Sequence, residues 1–311
     1  MRYKVYMAEV IHPDAEKKLR DFADVVDNFD HIEELDGILL RAHHLNRDQI
    51  SRAKKCKVIA RHGVGMDILD VAACKEFGIP IVYTPGANTF SVAEFAFTMA
   101  LTLMRNVYTT EYIQKTKGFA ELGPVSMRGN EMRGKTVGIV GASGRIGTTL
   151  AGMFKGAFGC DILGYAPHTP AEKLADKGIE KVETVEELVE RSDVVSINCP
   201  LTPATEKLFN AEMFTHFKPG AILVNTARGA IVDEDALYEA LTSGKLRACG
   251  SDVFVDEKNS FGSPLNKLDN FIGFPHVAAN TWESMYNMAM WAVEGLIDVL
   301  EGREPKYLYK Y

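Results

Sequence analysis

Short apolar stretches alternate with polar segments of helical period along almost the whole chain. This alternation is typical of α/β proteins, in which helices cover the faces of parallel sheets. In the first part of the chain, the pattern predicts strands at residues 3–8, 37–40, 58–60 and 79–83. Between these strands it predicts polar helices at residues 13–23 and 47–54.

The longest helical pattern follows the fourth of these strands. Residues 91–115 predict one continuous helix, and Ser91 and Glu94 at its start have the spacing of a capping box. A helix of this length is well suited to joining two domains. Residues 118–134, which contain Gly, Pro and Arg, are predicted to form the connection that follows it.

The second part of the chain predicts a larger set of strand–helix units. Its strands are expected at residues 136–140, 161–165, 194–198, 221–225, 248–252 and 271–274, with helices at 185–190 and 234–242 among those between them. We interpret this part as a doubly wound parallel sheet, whose ligand is expected beyond the carboxyl ends of the strands. The Met- and Trp-containing helix predicted at residues 282–301 is assigned to core packing.

Composition and charge exclude several classes of protein. A chain of 311 residues is long enough for two domains, and a formal charge of −7 argues against a nucleic-acid surface. No apolar stretch reaches the roughly 18 residues that a membrane span needs, and no metal-ligand cluster is apparent. An odd number of cysteines without a Cys-x-x-Cys pair predicts reduced thiols and a cytoplasmic protein. These cysteines are Cys56, Cys74, Cys160, Cys199 and Cys249.

A glycine-containing turn directly follows the predicted strand at residues 136–140 and opens a helix. Glycines permit backbone angles that a Cβ forbids, and the helix presents free N–H groups and the positive end of its dipole to an anion. A nucleotide diphosphate suits such a turn. Its candidate residues are Gly141, Ser143, Gly144, Arg145, Ile146 and Gly147.

Three polar side chains follow neighbouring predicted strands. Arg228 comes after one strand, Glu257 after the next, and His276 after the last. Because these strand ends open onto one edge of a doubly wound sheet, the three side chains could share a ligand. An arginine matches a carboxylate in geometry, and a histidine beside a carboxylate can donate a proton near neutral pH. The set is suited to reduction of a carbonyl next to a carboxylate.

Several segments resemble motifs of the D-isomer-specific 2-hydroxyacid dehydrogenases, the family that includes phosphoglycerate dehydrogenase and glyoxylate/hydroxypyruvate reductase. Residues 194–205 are similar to the segment beside the adenine end of the cofactor, and residues 223–229 to the substrate-arginine motif. Residues 252–257 resemble the acidic motif, and residues 275–276 the histidine motif. The resemblance covers nearly the whole chain.

The resemblance implies roles for individual residues. Arg228 would bind the substrate carboxylate, Glu257 would pair with the catalytic His276, and Asp252 would contact the nicotinamide carboxamide. Residues 63–67 resemble a loop whose N–H groups hold the carboxylate, and residues 85–94 resemble the hinge between domains. The substrate-binding residues predicted are Arg41, Val64, Gly65 and Asn88. The cofactor-binding residues predicted are the six of the glycine turn together with His168, Thr169, Cys199, Pro200, Thr205, Ala227 and Asp252.

The chain departs from the family pattern in three places. The glycine turn is one residue longer than Gly-x-Gly-x-x-Gly, and Lys258 replaces a common proline. The third departure is at the end of the strand predicted at residues 161–165, where an acid should bind the adenine ribose of NAD. Ala166 stands there instead, which favours NADP modestly over NAD, with His168 or Thr169 available to the added phosphate.

The resulting hypothesis is a two-domain reductase with two doubly wound parallel-sheet domains of Rossmann or flavodoxin type. The cofactor domain, residues 89–279, is inserted into a substrate domain formed by residues 1–88 and 280–311. The reaction expected is hydride transfer between NAD(P)H and C2 of a small 2-oxoacid, in a homodimer. Two alternatives are an NAD(P)-sensing, corepressor-like binding protein and a formate dehydrogenase-like enzyme. The retained Glu257 disfavours the second.

Overall fold

The computed structural model describes residues 2–117 and 128–311. These residues divide into two compact units. Unit 1 comprises Met1–Asn88 and Ala279–Tyr311, and unit 2 comprises Thr89–Ala278. In the described part of the chain, no helix is both long enough and apolar enough to cross a membrane.

Strands and helices alternate through both units. The strands are β1 (Tyr3–Tyr6), β2 (Ala23–Val26), β3 (Gly37–Leu40), β4 (Val58–Arg61), β5 (Ile81–Val82), β6 (Thr136–Val140), β7 (Asp161–Tyr165), β8 (Glu180–Val182), β9 (Val194–Ile197), β10 (Ala221–Asn225), β11 (Leu246–Ser251) and β12 (Phe271–Gly273). The helices are α1 (Pro13–Phe22), α2 (Arg47–Arg52), α3 (Val71–Glu76), α4 (Thr89–Met104), α5 (Val107–Lys117), α6 (Arg145–Phe158), α7 (Ala171–Ala175), α8 (Val185–Arg191), α9 (Ala211–His216), α10 (Glu234–Thr242) and α11 (Trp282–Leu300).

Unit 1 is built on a five-stranded sheet in the order β2-β1-β3-β4-β5, and its paired strands are all parallel. The central strand β3 is buried along its whole length, as expected for a sheet covered on both faces. Helices α1 and α11 pack on one face, and α2 and α3 pack on the other. The burial of α11 confirms the core-packing role expected for it.

Unit 2 contains a seven-stranded parallel sheet in the order β12-β11-β10-β9-β6-β7-β8. Helices α4 and α6 cover one face, and α8, α9 and α10 cover the other. The two parallel-sheet units confirm the predicted fold class. Strands β6, β7 and β10 and helix α10 lie at the residues predicted for them.

The predicted helix over residues 91–115 is wrong in one respect, because the structure has two helices there. Helix α4 ends at Met104 and α5 begins at Val107, and Asn106 between them has a left-handed φ of 52°. The Arg247 guanidinium donates to the Met104 carbonyl (3.1 Å) and to the Asn106 side chain (2.8 Å), so a distant strand holds this break. Ser91 lies inside α4 and is not its cap.

Other differences are confined to short elements. Strand β2 was missed because its first residue, Ala23, was assigned to the preceding helix. In the structure Ala23 pairs with Tyr3 of β1. The short elements α3, α7, β8 and α9 were also not predicted. Most of the predicted connection at residues 118–134 lies outside the described residues.

Candidate active site

Three neighbouring strands of unit 2 end side by side. Asn225 of β10 is paired with Ser251 of β11, and Ser251 is paired with Gly273 of β12. Because the three strands are parallel, the segments that follow them leave the same edge of the sheet. These segments contain the predicted catalytic residues Arg228, Glu257 and His276.

His276 and Glu257 form a direct pair. The His276 Nδ1 and Glu257 Oε1 atoms are 2.9 Å apart, and the side chains are 44% and 47% exposed. A carboxylate that accepts the Nδ1–H leaves Nε2 as the ring atom that exchanges a proton. His276 has a left-handed φ of 55°, and its N–H donates to the Asp252 carbonyl at 2.7 Å. The backbone of Asp252, which directly follows β11, therefore holds His276 in a left-handed backbone conformation that is uncommon for residues other than glycine.

The Asp252 side chain holds the segment that carries this histidine. Its carboxylate is only 1% exposed and accepts the N–H groups of Val277 and Ala278, each at 2.8 Å. Burial raises the pKa of Asp252, and the two N–H bonds oppose that rise. Both carboxylate oxygens of Asp252 therefore bind the backbone of the segment that follows His276. The sequence did not predict this function. The predicted nicotinamide contact of Asp252 stays a prediction.

Arg228 lies on a turn that a buried amide organises. The Asn225 side chain accepts the Ala227 N–H and donates to the Arg228 carbonyl, each at 3.0 Å. The half-buried Arg228 guanidinium donates through Nη1 to the Ala227 carbonyl at 2.7 Å. Asn225 is a positioning residue that sequence reasoning missed. Its signal was a polar side chain that ends an otherwise apolar strand.

A close backbone approach brings the arginine turn against the acidic segment. A Cβ on Gly229 would lie 2.1 Å from the carbonyl carbon of Phe254. No side chain fits in this space, so only glycine allows Arg228 to precede a turn packed so tightly on residues 254–255. The structure thus brings the arginine turn and the segment leading to Glu257 together.

The glycine turn at the end of β6 packs closely against neighbouring backbone. Gly141 has a φ of 90°, and a Cβ there would lie 2.7 Å from the Asn198 carbonyl. A Cβ on Gly147 would lie 2.5 Å from the Gly141 oxygen, so the longer turn still requires both glycines. Helix α6 begins after Gly144, which supplies no capping side chain. The first N–H groups of α6 therefore have no capping side chain to accept their hydrogen bonds.

The predicted contacts at the adenine end lie after β7 and β9. Ala166 is buried directly after β7, and its carbonyl accepts the Thr169 N–H at 3.0 Å, while His168 is exposed. After β9, the Thr205 hydroxyl donates to the Pro200 carbonyl at 2.8 Å. Burial raises the pKa of the Cys199 thiol to about 11, so this thiol stays protonated. Ala227 is buried in a hydrophobic core of unit 2, and the partly buried Cys199 packs against the same core.

In unit 1, Arg61 organises the loop predicted to bind the substrate carboxylate. Its guanidinium donates to the carbonyls of Gly65 (2.8 Å), His62 (2.7 Å) and Arg41. Within residues 2–117 and 128–311, the N–H groups of Val64 and Gly65 have no hydrogen-bond partner. Arg41 and Gly65 are thus linked through one side chain. Asn88, half-buried, follows the turn at residues 84–87.

His62 is buried beside this loop in its neutral form. It is 3% exposed, and its Nε2 has no partner among the described residues. Burial lowers its pKa to about 4; Arg41 and Arg61 add to this effect and Glu9 opposes it. An unfolded histidine takes up a proton near pH 6.5. The stability gained from a neutral His62 is therefore present above pH 6.5 and is lost as the pH falls toward 4.

We expect His62→Phe to make the protein less sensitive to acid. Between pH 7 and pH 5, the free energy of unfolding should fall by about 2 kcal/mol more in the wild type than in the variant. Urea unfolding at both pH values measures this difference. His44→Phe, at an exposed histidine of the same unit, is the matched control and should follow the wild type. Equal acid sensitivity of wild type and His62→Phe would contradict the prediction.

The part of the chain that the structure describes contains no cluster of three or more potential metal-binding side chains. What it does contain is a doubly wound sheet with a glycine turn after β6. A histidine–carboxylate pair and an arginine lie on the segments that follow the carboxyl ends of β10, β11 and β12. This combination is typical of dinucleotide-binding α/β proteins.

The comparisons with known proteins identify the family. Residues 97–278 match the family described as "D-isomer specific 2-hydroxyacid dehydrogenase, NAD binding domain". The chain belongs to this family, as its motifs predicted.

Curated relatives and solved structures agree with this assignment. The chain is 37% identical over 308 residues to D-3-phosphoglycerate dehydrogenase of Methanocaldococcus jannaschii, covering 96% of this chain and 58% of the relative. It is 34% identical over 311 residues to hydroxypyruvate reductase of Thermotoga maritima, covering 96% and 99%. A crystal structure of a Thermus thermophilus protein superposes with a TM-score of 0.90 at 34% identity, covering 99% of this chain and 100% of that one. The chain thus spans little more than half of the phosphoglycerate dehydrogenase relative.

Proposed function

We propose that this protein is an NAD(P)-dependent oxidoreductase that interconverts a small 2-oxoacid and its D-2-hydroxyacid. The observation that carries the proposal is the 2.9 Å His276–Glu257 pair, on the same sheet edge as the Arg228 turn. The matching family motifs and the names of the relatives support it. No relative reported above is a corepressor, and the acid–base pair favours the enzyme over that alternative.

Each of the three side chains has a chemical task in this proposal. Arg228 binds the substrate carboxylate, because its planar guanidinium presents parallel donors to two oxygens. His276 Nε2 gives a proton to the C2 oxygen during reduction and takes it back during oxidation. Glu257 holds the ring by Nδ1 and stabilises the imidazolium. The bound nicotinamide supplies or accepts the hydride at C2.

The glycine turn fits the pyrophosphate of such a cofactor. Gly141 and Gly147 have no room for a Cβ, because neighbouring backbone packs closely against both. The cap residue Gly144 leaves the start of α6 open, and Ser143 and Arg145 are exposed beside it. N–H groups and a helix dipole at this position stabilise an anion. The family's description names NAD binding, which agrees with this assignment.

We also propose that NADP is preferred over NAD. Ala166 occupies the position where an acid would bind the ribose hydroxyls, and the neighbouring His168 is exposed. An acid at about 4 Å would repel the added phosphate by roughly 4 kcal/mol at an effective dielectric near 20. Its absence permits NADP, while Asp161 lies at the far end of β7 and cannot substitute for it.

A spectrophotometric panel tests activity and cofactor preference together. Glyoxylate, hydroxypyruvate, pyruvate and phosphohydroxypyruvate are each tested with NADPH and NADH. We expect turnover of at least one acid, with a higher kcat/KM for NADPH. Ala166→Asp should lower kcat/KM for NADPH relative to NADH by about 10- to 1000-fold. Ala211→Asp, at an exposed alanine of α9, is the matched control.

Two outcomes of the panel would count against these proposals. No turnover of any acid with either cofactor would refute the activity. Strong preference of the wild type for NADH would refute the NADP assignment alone. Thermal unfolding of Ala166→Asp checks that the change at this buried position leaves the fold intact.

We also propose that the protein is cytoplasmic and forms a homodimer. All five cysteines are free thiols, and burial raises the pKa of Cys56 to about 12 and that of Cys74 to about 11, which suits a reducing cytoplasm. The family resemblance further suggests a homodimer, which a measurement of molar mass in solution tests.

A further inference from the structure

A glutamate at the start of α10 contacts the segment that leads to Glu257. The Glu234 Oε1 atom accepts the Val255 N–H at 2.8 Å. Glu234 follows the Arg228 turn in the chain, whereas Val255 follows β11. One hydrogen bond therefore connects the two segments that carry the arginine and the glutamate of the proposed site.

The Glu234 carboxylate is not the cap of its own helix. Asp233 is the cap residue of α10, and its side chain accepts the N–H groups of Asp235 (3.2 Å) and Ala236 (3.3 Å). An acid in the first turn of a helix ordinarily interacts with the N–H groups and the dipole of that helix. Glu234 instead accepts a hydrogen bond from a different segment, so its contact with Val255 links two elements of the fold.

The peptide group that Glu234 binds is also the one against which Gly229 packs. A Cβ on Gly229 would lie 2.1 Å from the Phe254 carbonyl carbon and 2.4 Å from the Val255 nitrogen. This peptide group is thus in contact with the backbone of the arginine turn and is bound by a carboxylate through its N–H. A peptide group is planar, so the two contacts together fix its orientation.

The chain leaves the hydrophobic core at this peptide group. Phe254 is 6% exposed, but Val255 is 59% exposed, and residues 256–259 are exposed as well. Exposed side chains make few packing contacts that could hold the backbone in one conformation. The hydrogen bond from Val255 to Glu234 therefore anchors the chain two residues before Glu257.

We propose that Glu234 is a positioning residue, which orients Glu257 for its contact with His276. This inference rests on the proposed function. The Asp252 carboxylate holds the backbone of the histidine segment, and the Glu234 carboxylate holds the backbone of the segment that carries its partner. The 2.9 Å contact between the imidazole and Glu257 thus depends on a carboxylate at each of the two segments.

The test compares removal of the Glu234 side chain with removal of its charge alone. Glu234→Ala eliminates the acceptor, so we expect kcat for 2-oxoacid reduction to fall by about 10-fold, within the roughly 100-fold that a misplacement of about 1 Å can cost. KM should change by less than about twofold, because Arg228 binds the substrate carboxylate and Asn225 holds its turn. Glu234→Gln keeps an oxygen that can accept the Val255 N–H, and its kcat should stay within about threefold of the wild type.

A double variant shows whether Glu234 acts through Glu257. Glu257→Ala leaves no side chain to be positioned against His276. We therefore expect Glu234→Ala to lower kcat by about 10-fold in the wild-type background, but by less than about twofold in the Glu257→Ala background. A general loss of fold would lower kcat by the same factor in both backgrounds.

Asp235→Ala is the matched control. Asp235 is the next residue of α10 and is exposed, so this variant removes an acid from the same helical turn. Its kcat should equal that of the wild type. Thermal unfolding and fluorescence titration with NADPH, carried out on every variant, detect a loss of fold or of cofactor binding.

The outcomes distinguish this inference from the proposed function. An unchanged kcat in Glu234→Ala, an equal loss in Glu234→Gln, or equal losses in both backgrounds would overturn the role of Glu234. A wild type that reduces one of the acids would still support the proposed activity in each of these cases. A wild type that reduces none of them would refute the activity itself, and this inference with it.

Discussion

Replacing His276 by glutamine is expected to lower kcat for 2-oxoacid reduction by about 10²- to 10⁴-fold, the usual contribution of a positioned acid–base group. A glutamine amide can still donate to Glu257, which is 2.9 Å from Nδ1 in the wild type, but it cannot exchange a proton. Fluorescence titration with NADPH should show unchanged cofactor affinity. Steady-state and single-turnover kinetics locate the loss in the chemical step.

The chain offers a close control for this variant. His216 also pairs with a glutamate, since its Nδ1 lies 2.9 Å from Glu190 Oε1. Glu190 is near the end of α8 and His216 ends α9, so the pair lies toward the starts of β9 and β10 and not toward the carboxyl ends of these strands. His216→Gln removes the same kind of contact and should leave kcat unchanged. A fully active His276→Gln variant, or an equal loss in His216→Gln, would rule out His276 as the proton donor.

The second large effect is expected at Arg228. Arg228→Gln should lower kcat/KM by about 10²- to 10³-fold, because the substrate carboxylate loses charge-assisted hydrogen bonds and is left without its counter-ion. The loss should appear as a higher KM together with a lower kcat, since a misplaced acid reacts slowly. Initial rates over a wide range of substrate concentration measure both parameters.

Arg191→Gln serves as the control for Arg228. Arg191 is an exposed arginine of the same unit that pairs with Glu180 and Glu187, so its loss removes equal charge at a distance from the proposed chemistry. Binding of NADPH should be retained in both variants. An Arg228→Gln variant with wild-type kcat/KM would show that another group holds the carboxylate.

Much of unit 2 follows from local sequence. Residues 221–225 form a strand because every side chain is apolar up to Asn225, and the glycines at 141 and 147 mark a turn because no other residue fits. The pairing of His276 with Glu257 was implied by family resemblance, since the two residues are far apart in the chain. The 2.9 Å distance in the structure supports that pairing.

The long helix shows why other features were not predictable. Residues 91–117 have an almost continuous helical pattern, and the break at Asn106 depends on donors from Arg247, about half the chain away. Periodicity describes neighbours along a helix and contains no information about such a contact. The acceptor role of Glu234 has the same origin, because its donor, the Val255 N–H, is contributed by a segment that follows another strand.

The sequence by itself determined the α/β class, the glycine turn, the family and the three side chains proposed for chemistry, because these depend on residue type and local spacing. Only the tertiary structure decided which polar groups hold those side chains in place. Asn225 sets the Arg228 turn, Asp252 fixes the segment of His276, and Glu234 holds the segment that leads to Glu257. The contacts of Asp252 and Glu234 join segments that are distant in the chain, where hydrogen-bond geometry depends on packing rather than on sequence neighbours. The contacts of Asn225 are local, but they depend on the conformation that the turn takes in the folded protein.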